Sequence, residues 1–167
     1  MFTLRLALFA LLLAVLAACD SDRDRFESGT FEAELAGGLS FSMEGNAVFQ
    51  RASFDPDEPP TYTISLIGSG DGATFRSLVI SETEPTIAGE GTYTLRVGDN
   101  VDGVGLAYFD QPGSASLFSA SGSLEITDVD ERQIAGTFSA TLQTPAGTRQ
   151  TQVTGTFDAT RLIGLAP

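Results

Sequence analysis

Alternation of apolar and polar residues is the feature that most constrains this chain. Apolar side chains recur at every second position in one run after another, with Ser, Thr and Glu between them. Because successive side chains of a strand point to opposite faces of the sheet, this period predicts strands with one buried face. The runs are Phe31/Ala33/Leu35, Leu39/Phe41/Met43 with Ala47/Phe49, Tyr62/Ile64/Leu66, Tyr93/Leu95/Val97, Val104/Leu106/Tyr108, Phe118/Ala120/Gly122/Leu124/Ile126, Ile134/Gly136/Phe138/Ala140/Leu142 and Val153/Gly155/Phe157/Ala159.

Turn-forming residues separate these runs and keep the connections short. Gly37-Gly38, Pro112-Gly113 and Pro145-Ala146-Gly147 stand between apolar runs, and the less regular segment 75–80 adds one more candidate strand. Short connections between strands favour antiparallel hairpins. The sequence therefore predicts one all-β domain over residues 29–163, an antiparallel sandwich or barrel of about nine strands.

A short pattern, Gly-Thr-Phe-x-Ala, occurs at residues 29–33, 136–140 and 155–159, and Gly91-Thr-Tyr-Thr-Leu95 is a variant of it. The uneven spacing of the copies excludes a solenoid repeat. Glycine in a strand allows another part of the chain to approach closely or allows a bulge. We interpret the pattern as recurrent strand chemistry in which phenylalanine fills the core.

The N-terminus has the features of an export signal. Arg5 precedes 13 uncharged residues, Leu6 to Ala18, rich in Leu and Ala. This run is shorter than the roughly 20 residues that a membrane-spanning helix requires. Its length and its small final residues suit the apolar region of a secretory signal peptide.

The residues Leu16-Ala17-Ala18-Cys19 resemble the lipobox of bacterial lipoproteins. The resemblance implies a helical signal peptide over residues 1–18, cleavage between Ala18 and Cys19, lipid on Cys19 and a charged tether over residues 19–28. Two or more acyl chains hold a protein stably on a membrane. The alternatives are an ordinary signal peptide or a short uncleaved anchor. Cys19 is the only cysteine, so an intrachain disulfide is excluded.

Further resemblances concern the cellular location of the protein. Asp20 after the cysteine resembles an inner-membrane retention signal in enteric bacteria, whereas acidic residues there resemble a surface-display signal in other lineages. The expected location is the cell envelope, with the membrane and leaflet left open. Residues 121–157 resemble the closing hairpins of small β-rich lipoproteins of unknown function from Bacteroidota-like bacteria, which implies a fold and an address but no activity.

Composition excludes several classes of function. The formal net charge is −13, every basic side chain is Arg, and His and Lys are absent. An acidic surface repels phosphate backbones, so we expect no nucleic-acid partner. Without His, a hydrolytic triad and His-based metal sites are excluded in their usual forms. A lipidated cysteine cannot serve as a nucleophile, and a phosphate-binding loop would need Lys.

Clustered acids are the remaining chemical candidates. Carboxylates lie close together at residues 55–58, 99–102 and 128–131, and two of them across a cleft could act as a glycosidase. We interpret them instead as solvated turn formers, and we expect neither an enzyme nor a cofactor. Asp99, Asn100 and Asp102 are a calcium candidate because oxygen ligands alternate there, and the same residues also suit a β-turn.

These observations predict a membrane-tethered, non-enzymatic and monomeric β-domain that binds or scaffolds an envelope protein, glycan or lipid. The alternative is a carrier of a small hydrophobic ligand or lipid inside a barrel cavity. An envelope glycan-active enzyme that uses only carboxylates is the third reading.

Overall fold

The computed structural model describes residues 28–52, 60–69, 75–82, 86–96, 103–110 and 117–162. Within these residues the chain forms one sheet of nine strands, so the all-β prediction is confirmed. The predicted helical signal peptide and tether lie outside the described residues. The strands are β1 (Gly29–Gly37), β2 (Phe41–Ala52), β3 (Thr61–Ser69), β4 (Phe75–Glu82), β5 (Gly91–Thr94), β6 (Val104–Phe109), β7 (Leu117–Val129), β8 (Gln133–Gln143) and β9 (Gln150–Arg161).

The sheet closes into a barrel, which decides between the two predicted architectures. Eight strands pair in the order β1-β2-β3-β4-β6-β7-β8-β9, and β9 pairs back with β1, while β5 is an extra strand on β7. Neighbours in the barrel are antiparallel. We call the end where β1 finishes and β2 begins the upper end, and the end where β1 begins the lower end.

Side chains fill the barrel interior. The predicted inward faces of β1, β6 and β8 are all buried, and so are Met43, Ala47 and Phe49 of β2. Fully buried side chains include Phe49, Leu66 and Leu124, each at most 1% exposed. An eight-stranded barrel is just wide enough for its own side chains to occupy the interior, and this core agrees with that expectation.

Strand β7 departs from the predicted alternation. The pairing with β8 shifts between Ser119 and Ser121, which makes Ala120 an extra residue in a β-bulge. Leu117 and Ser119 therefore point inward, whereas Phe118 is half-buried and Ala120 is exposed. The predicted single face from Phe118 to Ile126 is thus wrong in its first half, because a bulge reverses the phase of the side chains.

The two residues that follow β5 fill a gap between the barrel strands β6 and β7. β6 and β7 pair only at Ala107↔Phe118 and Tyr108↔Leu117 and then diverge. Leu95 and Arg96, which follow β5, occupy the space: the Leu95 N–H donates to Gly122 O at 2.9 Å, and the Arg96 N–H donates to Val104 O at 3.0 Å. The buried Ser119 hydroxyl accepts from Leu106 N at 3.1 Å and donates to Arg96 O at 3.4 Å. Leu95 and Arg96 thus complete the backbone hydrogen bonding between β6 and β7, where the barrel would otherwise be open.

The Gly-Thr-Phe-x-Ala copies lie on the adjacent strands β1, β9 and β8. Phe138 is opposite Gly155 and Phe157 is opposite Gly136, and the two ring centroids are 6.4 Å apart. A Cβ at Gly155 would lie 2.5 Å from Phe138 Cζ, and one at Gly136 would lie 3.1 Å from Phe157 Cζ. Each ring therefore covers a glycine of the neighbouring strand, which confirms the interpretation of close approach and core filling.

A carboxylate at the lower end accepts hydrogen bonds from the backbone beside β3 and β4. Glu82 is the last residue of β4, and its Oε2 accepts from Tyr62 N at 2.7 Å. Its Oε1 accepts from Thr86 N at 3.0 Å and also from Ile87 N. Ile87 itself is buried in the core. Glu82 thus holds the start of the crossover to β5 against the barrel.

Candidate functional site

Polar side chains occupy inward positions at the upper end. Arg76 of β4 has the same phase as Leu78 and Ile80, which are both buried. Tyr108 of β6 is 1% exposed, and Asp110 follows it in the same phase. Phe41 begins β2 and packs against the core. Strand pairing therefore brings an arginine, a tyrosine and an acid to the same end of an otherwise apolar interior.

The Phe41 ring lies at the centre of this cluster. The Arg76 guanidinium carbon is 4.0 Å from the ring centroid, a cation–π contact, and the Phe41 and Tyr108 rings are 6.0 Å apart and tilted. Arg76 Nε lies 3.7 Å from Asp110 Oδ1, an ion pair that is too long for a hydrogen bond. The Arg76 side chain is 16% exposed and that of Asp110 is 29% exposed, so the cluster reaches solvent on the Asp110 side.

Within the part of the chain that the structure describes, three buried polar atoms of the cluster have no hydrogen-bond partner: Arg76 Nε, Arg76 Nη1 and Tyr108 Oη. Leaving a buried donor unpaired costs about 1–3 kcal/mol, and more for a charged group. Most buried polar atoms in folded proteins have a hydrogen-bond partner, so these three atoms at one end of the barrel mark the cluster as a candidate binding site.

The electrostatic setting keeps the phenol protonated. Burial raises the pKa of Tyr108, the negative charge of Asp110 raises it further, and the positive charge of Arg76 acts in the opposite direction. The neutral hydroxyl can donate one hydrogen bond and also accept one. The cluster therefore presents the Arg76 guanidinium and one hydroxyl donor beside the Asp110 carboxylate.

We expect Tyr108→Phe to stabilise the protein by about 1 kcal/mol, because it removes a buried hydroxyl that makes no hydrogen bond. The matched change Tyr93→Phe should destabilise it by about 1 kcal/mol, since Tyr93 Oη donates to Gly89 O at 2.7 Å and accepts from Gly89 N at 3.2 Å. Urea denaturation measures both values. A loss of stability in Tyr108→Phe would mean that the hydroxyl has a structural partner.

Sequence reasoning missed this cluster, although one signal pointed to it. The segment 75–80 is the least regular of the predicted strands, because Arg76 stands where the alternation calls for an apolar residue. A basic residue at an inward position of a strand is rare unless it has a partner. The proximity of Phe41 and Tyr108 could not be read from the sequence, since it depends on the strand order.

The predicted site residues have different outcomes. Cys19, Ala18, the calcium candidates Asp99, Asn100 and Asp102, and the acids at 55–58 lie outside the described residues. Asp130 caps a turn: its Oδ1 accepts from Arg132 N at 2.6 Å and Gln133 N at 2.7 Å, and these bonds hold the pKa of its carboxyl below the ordinary value. Across the described ranges, no group of three or more acidic or thiol side chains could hold a metal ion.

None of the described residues forms a helix long and apolar enough to cross a bilayer. Comparison with family models, with curated proteins and with solved structures finds no match to this chain. The candidate functional site is therefore the cluster of Phe41, Arg76, Tyr108 and Asp110.

Proposed function

We propose that this protein is a membrane-tethered, non-enzymatic binding protein of the cell envelope. Lipid on Cys19 holds it at the membrane, and the upper end of the barrel contacts the ligand. The observation that carries the proposal is the set of buried polar atoms of Arg76 and Tyr108 that have no hydrogen-bond partner among the described residues at that end. Such atoms cost stability, and a ligand that accepts hydrogen bonds from them would account for their presence.

The barrel supports this function as a rigid frame. Closure leaves no open sheet edge in the eight-stranded ring, and the strands fix the positions of the side chains at its ends. Binding sites of small barrels commonly lie at the mouth. The carrier alternative places a ligand deep inside the barrel, where side chains such as Phe49, Met43 and Leu66 are packed. We therefore place the ligand at the upper end.

One experiment tests both parts of the proposal. The full chain is expressed in a bacterial host with an alkyne-palmitate label, and the purified protein is denatured to release any bound small molecule for mass spectrometry. We expect the wild type to carry the label in the membrane fraction and to release one compound at about tenfold enrichment over Arg76→Gln, the difference that loss of a charged hydrogen bond produces.

Two controls separate the tether from the ligand. Cys19→Ser should lose the label and leave the membrane fraction, because no other cysteine is available. Tyr93→Phe changes a residue of β5 outside the cluster, so it should release the same compound as the wild type. A labelled Cys19→Ser chain would contradict the tether, and equal release from wild type and Arg76→Gln would contradict binding at the upper end.

A second candidate function, a docking scaffold for a protein, is favoured by one outer surface. The described outward side chains of β3, β4 and β6 include no charged residue, although the whole chain is strongly acidic. If the purified wild type instead retains a protein that Val79→Glu releases, this surface is the binding face. The uncharged surface consists of Thr61, Thr63, Ser65, Ile67, Ser77, Val79, Ser81, Ala107 and Phe109.

A further inference from the structure

We infer that the ligand at the upper end is a monocarboxylate with an apolar chain or ring, and that its carboxylate accepts hydrogen bonds from Arg76 and Tyr108. This inference rests on the function proposed above and names the chemistry of the ligand. Three properties of the cluster lead to it: the kind of hydrogen bond that is missing, the charge of the surroundings and the apolar surface beside the guanidinium.

The missing partners are acceptors. The nitrogens of a guanidinium can only donate, and a protonated phenol donates one hydrogen bond. Among the described residues, Arg76 Nε, Arg76 Nη1 and Tyr108 Oη are buried and have no hydrogen-bond partner, although Arg76 Nε lies 3.7 Å from Asp110 Oδ1. Both side chains contact the Phe41 ring. A carboxylate carries two oxygens on one carbon, so it can accept from a guanidinium and from a neighbouring hydroxyl together.

The surroundings favour a ligand with a single negative charge. Arg76 is the cation of the cluster, so an anion gains from its charge, but Asp110 lies 3.7 Å from Arg76 Nε and already offsets part of it. The chain as a whole has a formal charge of −13. The attraction to Arg76 and the repulsion from Asp110 both double for a dianion such as a phosphate monoester, so these two terms largely offset each other. The repulsion by the acidic chain also doubles and has no counterpart, so a monocarboxylate meets the smaller cost.

Apolar surface lies next to the guanidinium. Phe41 is only partly buried, and so is Leu39 in the short connection before it; both pack against the core. The backbone of this connection is held in place, because Leu39 N donates to the buried Thr151 Oγ1 at 3.1 Å. A hydrocarbon chain or ring attached to the carboxylate would cover the exposed part of Phe41 and remove that apolar surface from water.

The test uses three probes that share one apolar part and differ in the head group: 4-phenylbutyrate, 4-phenylbutanol and 4-phenylbutyl phosphate. The lipidated full chain is placed in nanodiscs, and binding is measured by calorimetry with empty nanodiscs subtracted. We expect 4-phenylbutyrate to bind about tenfold more tightly than either other probe, which is the change in Kd that corresponds to one charge-assisted hydrogen bond.

Variants locate the site. Arg76→Gln and Tyr108→Phe should each weaken binding of 4-phenylbutyrate by about tenfold, whereas Tyr93→Phe should leave its Kd unchanged although it lowers the melting temperature. Tyr108→Phe keeps the ring against Phe41 and lacks only the unpaired oxygen, so its loss of affinity cannot be attributed to unfolding.

Each other result overturns the inference in a recognisable way. Equal affinity for the alcohol would show that charge is not recognised, and tighter binding of the phosphate would show that the site takes a dianion. Unchanged affinity in Arg76→Gln, or no binding of 4-phenylbutyrate, would mean that the cluster is a structural ion pair or takes another class of ligand. The release experiment under the proposed function decides separately whether any ligand is bound at this end.

Discussion

Adding a single methyl group at Gly155 is expected to destabilise the barrel by about 3 kcal/mol, at the upper end of the usual cost of overpacking a core. A Cβ there would lie 2.5 Å from Phe138 Cζ and 2.6 Å from the backbone oxygen of Glu32. The ring can turn only into a filled interior, and the oxygen belongs to the neighbouring strand β1. Gly155→Ala must therefore displace both a core ring and a strand.

Urea denaturation followed by near-UV circular dichroism of the tyrosines measures this loss. Gly105→Ala is the matched control: a Cβ there would meet its nearest atom, Arg96 O, at 3.4 Å, so its effect should be small. Phe138→Leu combined with Gly155→Ala should recover part of the lost stability, because it removes the ring contact but not the backbone contact. A Gly155→Ala protein as stable as Gly105→Ala would refute the close packing of β8, β9 and β1.

Removal of the Glu82 carboxylate is the second large effect, with an expected loss of about 3 kcal/mol in Glu82→Ala. The carboxylate accepts from three backbone N–H groups, those of Tyr62, Thr86 and Ile87. Without it, the Tyr62 and Ile87 donors lose their partner in a partly buried setting. The crossover that brings Ile87 into the core should therefore loosen at the lower end.

Hydrogen exchange and urea denaturation together check this expectation. The amides of Tyr62 and Ile87 should exchange faster in Glu82→Ala, and overall stability should fall. The stability of Glu82→Gln should lie between those of the wild type and Glu82→Ala. Its amide keeps one oxygen to accept from Thr86 N and Ile87 N, but it turns an NH₂ donor toward Tyr62 N. Glu44→Gln is the control, since Glu44 is exposed and stands opposite Glu32 of like charge. If Glu82→Ala and Glu44→Gln behave alike, the carboxylate does not hold the crossover.

Local patterning predicted the strands because the cause of alternation is local. In β8, Ile134, Phe138 and Leu142 point inward as predicted, since a strand that buries one face must alternate. The Gly-Thr-Phe-x-Ala copies were also interpretable, because a glycine beside an aromatic residue implies close approach. Alternation alone puts Phe118 and Ala120 on the wrong face, since a bulge depends on the partner strand and leaves no clear mark in β7 itself.

The amino-acid sequence by itself determined that residues from Gly29 onward form β-strands with one buried face, and that His- and Lys-based chemistry is excluded. Only the tertiary structure decided that the sheet closes into a barrel, that Leu95 and Arg96 fill the gap between β6 and β7, and that Phe41, Arg76 and Tyr108 meet at one end. The physical reason is that alternation specifies which face of a strand is buried, whereas the choice of neighbouring strand depends on contacts between residues far apart in the chain.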